Sequence, residues 1–308
     1  MRPLRALVIY TVVVFIGGAL LAPWIYWLAQ SLAHVLPSLA GKPFQRYLGD
    51  TMAVVAVAGL WPLLRALGVR SLQEAGFTNP LGQERRIGVG ILLALLSVGI
   101  ISALTIIFGA REIREGINVA GLVRKTSGIA LTAAMVGLFE ELLFRGGLLG
   151  GLRRLFFWPF ALVASSVAYS LTHFLRDATF EGAVTWTTGL QLLPSMFGGS
   201  MGWAQAVPRF LNLTLVGVML GLAYQRTGNL WFSIGMHAGW ILWVKVYHLL
   251  TQPVWGSCKW FWGTVHVVDG WLATPVLILV SILITQSPLV GQIDPVHDQG
   301  FDGVRNSQ

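Results

Sequence analysis

Residues 139–147 read Phe-Glu-Glu-Leu-Leu-Phe-Arg-Gly-Gly, which places three ionisable side chains, Glu140, Glu141 and Arg145, in an otherwise apolar stretch. Two histidines stand in comparable surroundings, His173 in Ser-Leu-Thr-His-Phe and His237 in Gly-Met-His-Ala-Gly. A carboxylate and imidazoles held together in an apolar setting can move protons to and from a water, the usual division of labour in general acid–base chemistry. Helical geometry separates the two glutamates. Glu141 and Arg145 are four apart, acid first, which is the favoured orientation for a helical ion pair. Glu140 points about 100° away and has Phe144 one turn on, so its partner must come from another helix.

The elements that position these residues are membrane spans. The chain has 308 residues, of which 55% are hydrophobic and 11% charged, with a mean hydropathy of +0.69. Soluble domains carry about 25% charge. Stretches free of Asp, Glu, Lys and Arg run from Ala6 to Gly41, Ile87 to Ala110, Leu155 to Leu175 and Gly270 to Ile293, each long enough for the roughly 20 residues that cross a bilayer. The expected fold is all-α, a polytopic transmembrane helix bundle of about eight spans: 6–35, 47–68, 87–110, 126–150, 159–178, 208–225, 230–250 and 270–289. The first is read as an uncleaved span, since its apolar run exceeds the h-region of a signal peptide. Residues 182–208 lack charge but are rich in Thr, Gly and Pro, which suits a re-entrant or interfacial segment. Residues 291–308 are expected to be a polar, disordered tail.

Depth along the helices allows the ionisable groups to meet. At 1.5 Å per residue, Glu140 lies about 17 Å in from Gly151, and His173 about 21 Å in if its helix starts at Pro159. His237 is shallower, about 9 Å past Trp231, in the same half of the bilayer. Asn212, in the sixth span, either bridges helices or joins the site. Small-xxx-small pairs at Gly146/Gly150, Gly147/Gly151, Gly217/Gly221 and Gly235/Gly239 permit close helix approach. Trp24, Tyr26, Trp231 and Trp243 read as interfacial belt residues.

The net charge of +8 is spread over loops and forms no basic stripe, so no nucleic-acid partner is expected. Loop Lys and Arg residues divide evenly between the two sides, and orientation leans only on Arg2 and Arg5 beside the first span. The single cysteine, Cys258, excludes an intramolecular disulfide and any CxxC motif. Zinc could take two histidines and a glutamate, but there is no HExxH spacing, and no cofactor is expected.

Glu140-Glu141-x-x-x-Arg145, Tyr169-x-x-x-His173 and His237 together resemble the motifs of the CAAX protease and bacteriocin-processing family, related to type II CAAX prenyl endopeptidases. The resemblance covers about residues 126–245, including Arg226-Thr-Gly-Asn-Leu-Trp231 before the last histidine. It implies an intramembrane endopeptidase in a bacterial-type cell membrane, acting on a membrane-associated protein or peptide. Glu140 would activate water with help from His173, and His237 would stabilise the oxyanion, with Glu141, Arg145 and Asn212 in support. The family's third motif continues to an asparagine four residues on, where this chain has Ile241. A non-catalytic immunity or scaffold protein of the same fold is the alternative, and a proton-coupled transporter a third class. The domains expected on this basis are N-terminal transmembrane helices over 1–125, a family-like core over 126–250, a C-terminal span over 251–290 and the tail.

Overall fold

The computed structural model describes residues 2–35, 37–174, 180–197, 202–254, 256, 258–264 and 266–286. In chain order the elements are α1 (Arg2–Val12), a π-helical turn (Val13–Gly17), α2 (Gly18–Ser31), α3 (Pro37–Ala40), α4 (Phe44–Ala66), α5 (Glu84–Ile107), β1 (Arg111–Ile113), α6 (Val119–Glu141), a π-helical segment (Leu142–Leu149), α7 (Gly150–Leu152), α8 (Trp158–Thr172), α9 (Thr188–Phe197), α10 (Trp203–Thr227), α11 (Trp231–Leu250), β2 (Thr251–Pro253), α12 (Lys259–Trp262) and α13 (Ala273–Gln286). Among the described residues the fold is all-α apart from one antiparallel pair, β1 with β2, in which Glu112 faces Gln252.

Among the described residues five helices are long and apolar enough to cross a membrane: Pro3–Ser31, Phe44–Ala66, Glu84–Ile107, Val119–Leu152 and Trp203–Thr227. A helix occupies each of the eight expected segments, but α8 with 15 residues and α13 with 14 fall short of a full crossing. Several boundaries differ from expectation, and the fourth segment begins at Val119 instead of 126. The sixth segment starts at Trp203 and keeps Pro208 buried inside α10. The last helix stops at Gln286. The fifth ends at Thr172, so His173 lies in the turn beyond it and not within a span running to 178. The 182–208 region holds the ten-residue helix α9, and the expected disordered tail lies outside the described residues.

The chain forms two compact units, Met1–Arg70 with Thr172–Ser200, and Ser71–Leu171 with Met201–Gln308. The first has a core of Ala19, Ala22, Phe44, Leu48, Met52 and Leu192. There α2 and α4 pack so closely that a methyl group on Gly18 would come within 2.8 Å of Met52 Cγ.

In the second unit α11 is the central helix, packed on α5 and α6. Glycine permits both contacts. A Cβ on Gly239 would lie 2.7 Å from Ala94 Cβ on α5, and one on Gly137 of α6 would lie 3.3 Å from the Ala238 nitrogen. The α5–α11 seam is also hydrogen-bonded, Trp240 Nε1 donating to Ser97 Oγ at 3.0 Å and Trp243 Nε1 to Ser102 Oγ at 2.9 Å. Trp231 is buried and donates to Thr78 O at 3.2 Å. Trp231 is therefore an interior packing residue and not a belt residue, while half-buried Trp243 is tied by its indole N–H into the α5–α11 seam. Trp24, at 60% exposure, does face outward.

Candidate functional site

The acidic segment lies where helix α6 widens. Asn118 caps the start of α6, its side chain accepting from the Gly121 nitrogen at 3.1 Å, and the α-helix runs to Glu141 before the π-helical segment begins at Leu142. π-Segments inside α-helices are rare and frequent at functional sites. Gly146 lets this one come close to its surroundings, since a Cβ there would be 2.8 Å from Ala75 O.

Arg145 bridges three helices. Its Nη1 donates to Glu141 Oε1 at 2.8 Å, its Nη2 donates to Gly217 O on α10 at 3.2 Å, and its guanidinium lies 4.8 Å above the ring of Tyr169 on α8. The glycine matters twice at 217, because a side chain there would also strike Ser166 of α8, its Cβ falling 2.7 Å from that of Ser166. Glu141 and Arg145 are both buried, so the pair avoids the cost of a lone charge at depth.

His237, in the second turn of α11, stands between the two carboxylates. Its Nδ1 is 2.8 Å from Glu141 Oε1, and its Nε2 is 3.7 Å from Glu140 Oε2. The ring meets Tyr169 edge-on, with centroids 5.9 Å apart. Glu141 already accepts from Arg145, so the imidazole nitrogen facing it is the donor, Nδ1–H, which leaves Nε2 turned toward Glu140. The two glutamates differ in access: the Glu140 side chain is 22% exposed and that of Glu141 is 0%. Among the described residues no hydrogen-bond donor reaches the buried atoms Glu140 Oε2 and Glu141 Oε2. The arrangement can orient an imidazole through one carboxylate while presenting a second carboxylate and Nε2 to a common space.

The structure thus brings Glu140, Glu141, Arg145 and His237 together within the second unit. The sequence offers His173 and His237 alike as partners for Glu140, with the resemblance favouring His173; the hydrogen bond of His237 is to Glu141, and its Nε2 faces Glu140 at 3.7 Å. Sequence reasoning also missed Tyr169 as the ring wedged between Arg145 and His237, although Tyr169 was visible as the aromatic residue four before His173. His173 belongs to the first unit, with its Nδ1 3.4 Å from Thr172 Oγ1. Asn212 is fully buried and its amide bridges to α13 and the chain before it: Nδ2 donates to Val268 O at 2.8 Å and Gly270 O at 2.9 Å, and Oδ1 accepts from Thr274 Oγ1 at 2.8 Å. Of the two roles open to it in the sequence, the contacts are those of a bridge. Ile241, one turn past His237, is half-buried and offers no donor. Among the described residues no group of three His, Cys, Asp or Glu side chains is placed to hold a metal ion.

Residues 123–243 match the family model described as type II CAAX prenyl endopeptidase Rce1-like. No curated protein and no solved structure matches the chain.

Proposed function

We propose, on the premise that residues 123–243 belong to the CAAX protease family, that this chain is an intramembrane endopeptidase in which Glu140 activates the attacking water. The observation that carries this reading is the unequal access of the two carboxylates: Glu141 is sealed against Arg145 and His237, while Glu140 is partly open and faces His237 Nε2 at 3.7 Å. Glu140 takes a proton from water as its oxygen bonds to the scissile carbonyl carbon. Protonated His237 donates Nε2–H to the oxyanion, steadied by Glu141 at Nδ1, and the proton held by Glu140 passes to the leaving amine as the C–N bond breaks. Donors aimed at a developing oxyanion supply a large share of catalysis. The resemblance gives His173 the role of assisting Glu140.

In this scheme Glu140 and His237 act on the reactants, His173 assists Glu140 as the resemblance implies, and Glu141 and Arg145 are positioning residues. No metal takes part; the zinc variant predicts loss of activity in chelator-treated, metal-free protein. The substrate is a membrane-associated protein or peptide, and its prenylation does not follow from the motifs. The test compares new protein N-termini in cells carrying wild-type chain or Glu140→Ala at equal expression. A set of membrane-protein fragments that vanishes with the variant is expected; identical fragment sets would overturn the proposal.

Ile241 favours a second reading, a non-catalytic immunity or scaffold protein of the same fold, because it removes a donor from the position where the family carries asparagine. That reading requires Glu140→Ala to complement a deletion as well as wild type does.

A further inference from the structure

Within the first unit, α2 and α4 border a groove of about 460 Å³ that plays no part in the proposed chemistry. Its floor is formed by the buried residues Ala29 and Thr51, and its walls by larger side chains, among them Leu21 and Leu28 of α2 and Val54 of α4, which stand exposed. Short side chains between long ones make a furrow open toward the surroundings of the helices. On α2 and its capping residue Leu32 the lining positions 21, 25, 28 and 32 recur at intervals of four, three and four, the spacing of one helix face. From Leu32 to Leu21 the furrow runs roughly 16 Å, about half of the roughly 30 Å hydrocarbon thickness of a bilayer.

The furrow lining is almost entirely apolar, and residues with polar side chains border only one of its ends. Lys42, Tyr47 and Asp50 line that end where the chain turns from α3 into α4. The Tyr47 hydroxyl donates to Leu39 O at 2.5 Å, and Asp50 lies 3.3 Å from Arg46, so its charge is already matched. Lys42 forms no ion pair among the described residues. The result is a half-bilayer-long apolar trough with Lys42, which has no ion-pair partner among the described residues, at one end. That combination complements an amphiphile with an anionic head and a hydrocarbon tail.

We propose that this groove binds an anionic phospholipid of the surrounding bilayer, one acyl chain lying along the furrow and the phosphate at Lys42. A lysine beside a lipid surface favours anionic headgroups by about fivefold. The apolar lining supplies the remaining affinity through burial of the chain. Neither part depends on the peptidase reading, since every residue named lies in the first unit and outside residues 123–243.

The experiment uses the full chain reconstituted in vesicles containing phosphatidylglycerol or phosphatidylcholine with a photoactivatable acyl chain, the labelled peptides being mapped by mass spectrometry. Labelling concentrated on α2 and α4, about fivefold stronger with phosphatidylglycerol, is the expected result. Val55→Trp, which fills the furrow, should remove that labelling, Val57→Trp on the same helix but outside the groove should not, and Lys42→Glu should abolish the headgroup preference. Equal labelling by both lipids, labelling as strong on the outward faces of α5 and α6, or no effect of Val55→Trp in a variant that melts like wild type would overturn the proposal. So would displacement of the label by a farnesylated peptide, which would make the occupant a lipidated chain.

Discussion

His237 Nδ1 lies 2.8 Å from Glu141 Oε1, joining positions 96 apart in the sequence at the point where α11 crosses the end of α6. Glu141 is thereby held from both sides, by Arg145 one turn along its own helix and by the imidazole opposite. Glu141 thus fixes one edge of the His237 ring, while Glu140 stays partly exposed opposite its Nε2, the geometry from which the proposed mechanism assigns Glu140 to the reactant.

Glu141→Gln should therefore do two separable things. Leaving Arg145 without its carboxylate should cost about 3–5 kcal/mol of stability, read as a fall in the detergent-phase melting transition. Combining it with Arg145→Met should recover most of the melting transition without recovering cleavage, because the imidazole remains unsteadied. Recovery of both together would make Glu141 a purely structural residue.

Glu140→Gln should leave the melting transition near wild type, since its carboxylate is partly exposed and its Oε2 accepts no hydrogen bond. Cleavage should fall by about 10²–10⁴, the range of general-base contributions. Comparable turnover in the variant would remove Glu140 from the mechanism.

His173→Ala tests the role implied by the family motif. A loss of about 10²-fold in kcat with the fold intact is expected of an assistant to the base. Unchanged kcat would confine the chemistry to residues of the second unit.

Ile241→Asn should restore a hydrogen-bond donor one helical turn beyond His237. Loss of an oxyanion donor costs about 10²–10³ in kcat, and regaining one should raise kcat while KM stays nearly constant. An unchanged kcat would show that the oxyanion does not form near position 241.

Gly217→Ala should weaken the helix seam behind the site. The added methyl would lie 2.7 Å from Ser166 Cβ and 2.8 Å from Ser166 Cα, and overpacking of this kind costs about 1–3 kcal/mol. Because Gly217 O accepts from Arg145 Nη2, lower stability should come with reduced cleavage; a melting transition equal to wild type would contradict the packing described.

The sequence alone determined what depends on near neighbours in the chain. Apolar runs specify helices, the spacing of Glu141 and Arg145 specifies their ion pair, and paired glycines mark where helices can touch, because each of these follows from composition or from helical period. Scarcity of charge singled out Glu140, Glu141 and Arg145 for the same reason, since an ionisable group in an apolar run is costly wherever the helix lies. Only tertiary structure decided which of two adjacent carboxylates hydrogen-bonds His237. A rotation of about 100° separates them, so the choice rests on how α11 sits against α6 and on the helix widening immediately after Glu141. Tertiary structure also settled the hydrogen bonds of Asn212, whose partners at 268, 270 and 274 lie more than 50 residues away, and showed that α8 ends at Thr172, one residue before His173. A side chain able to bond in several directions takes the direction its neighbours leave open, and those neighbours exist only once the helices have packed.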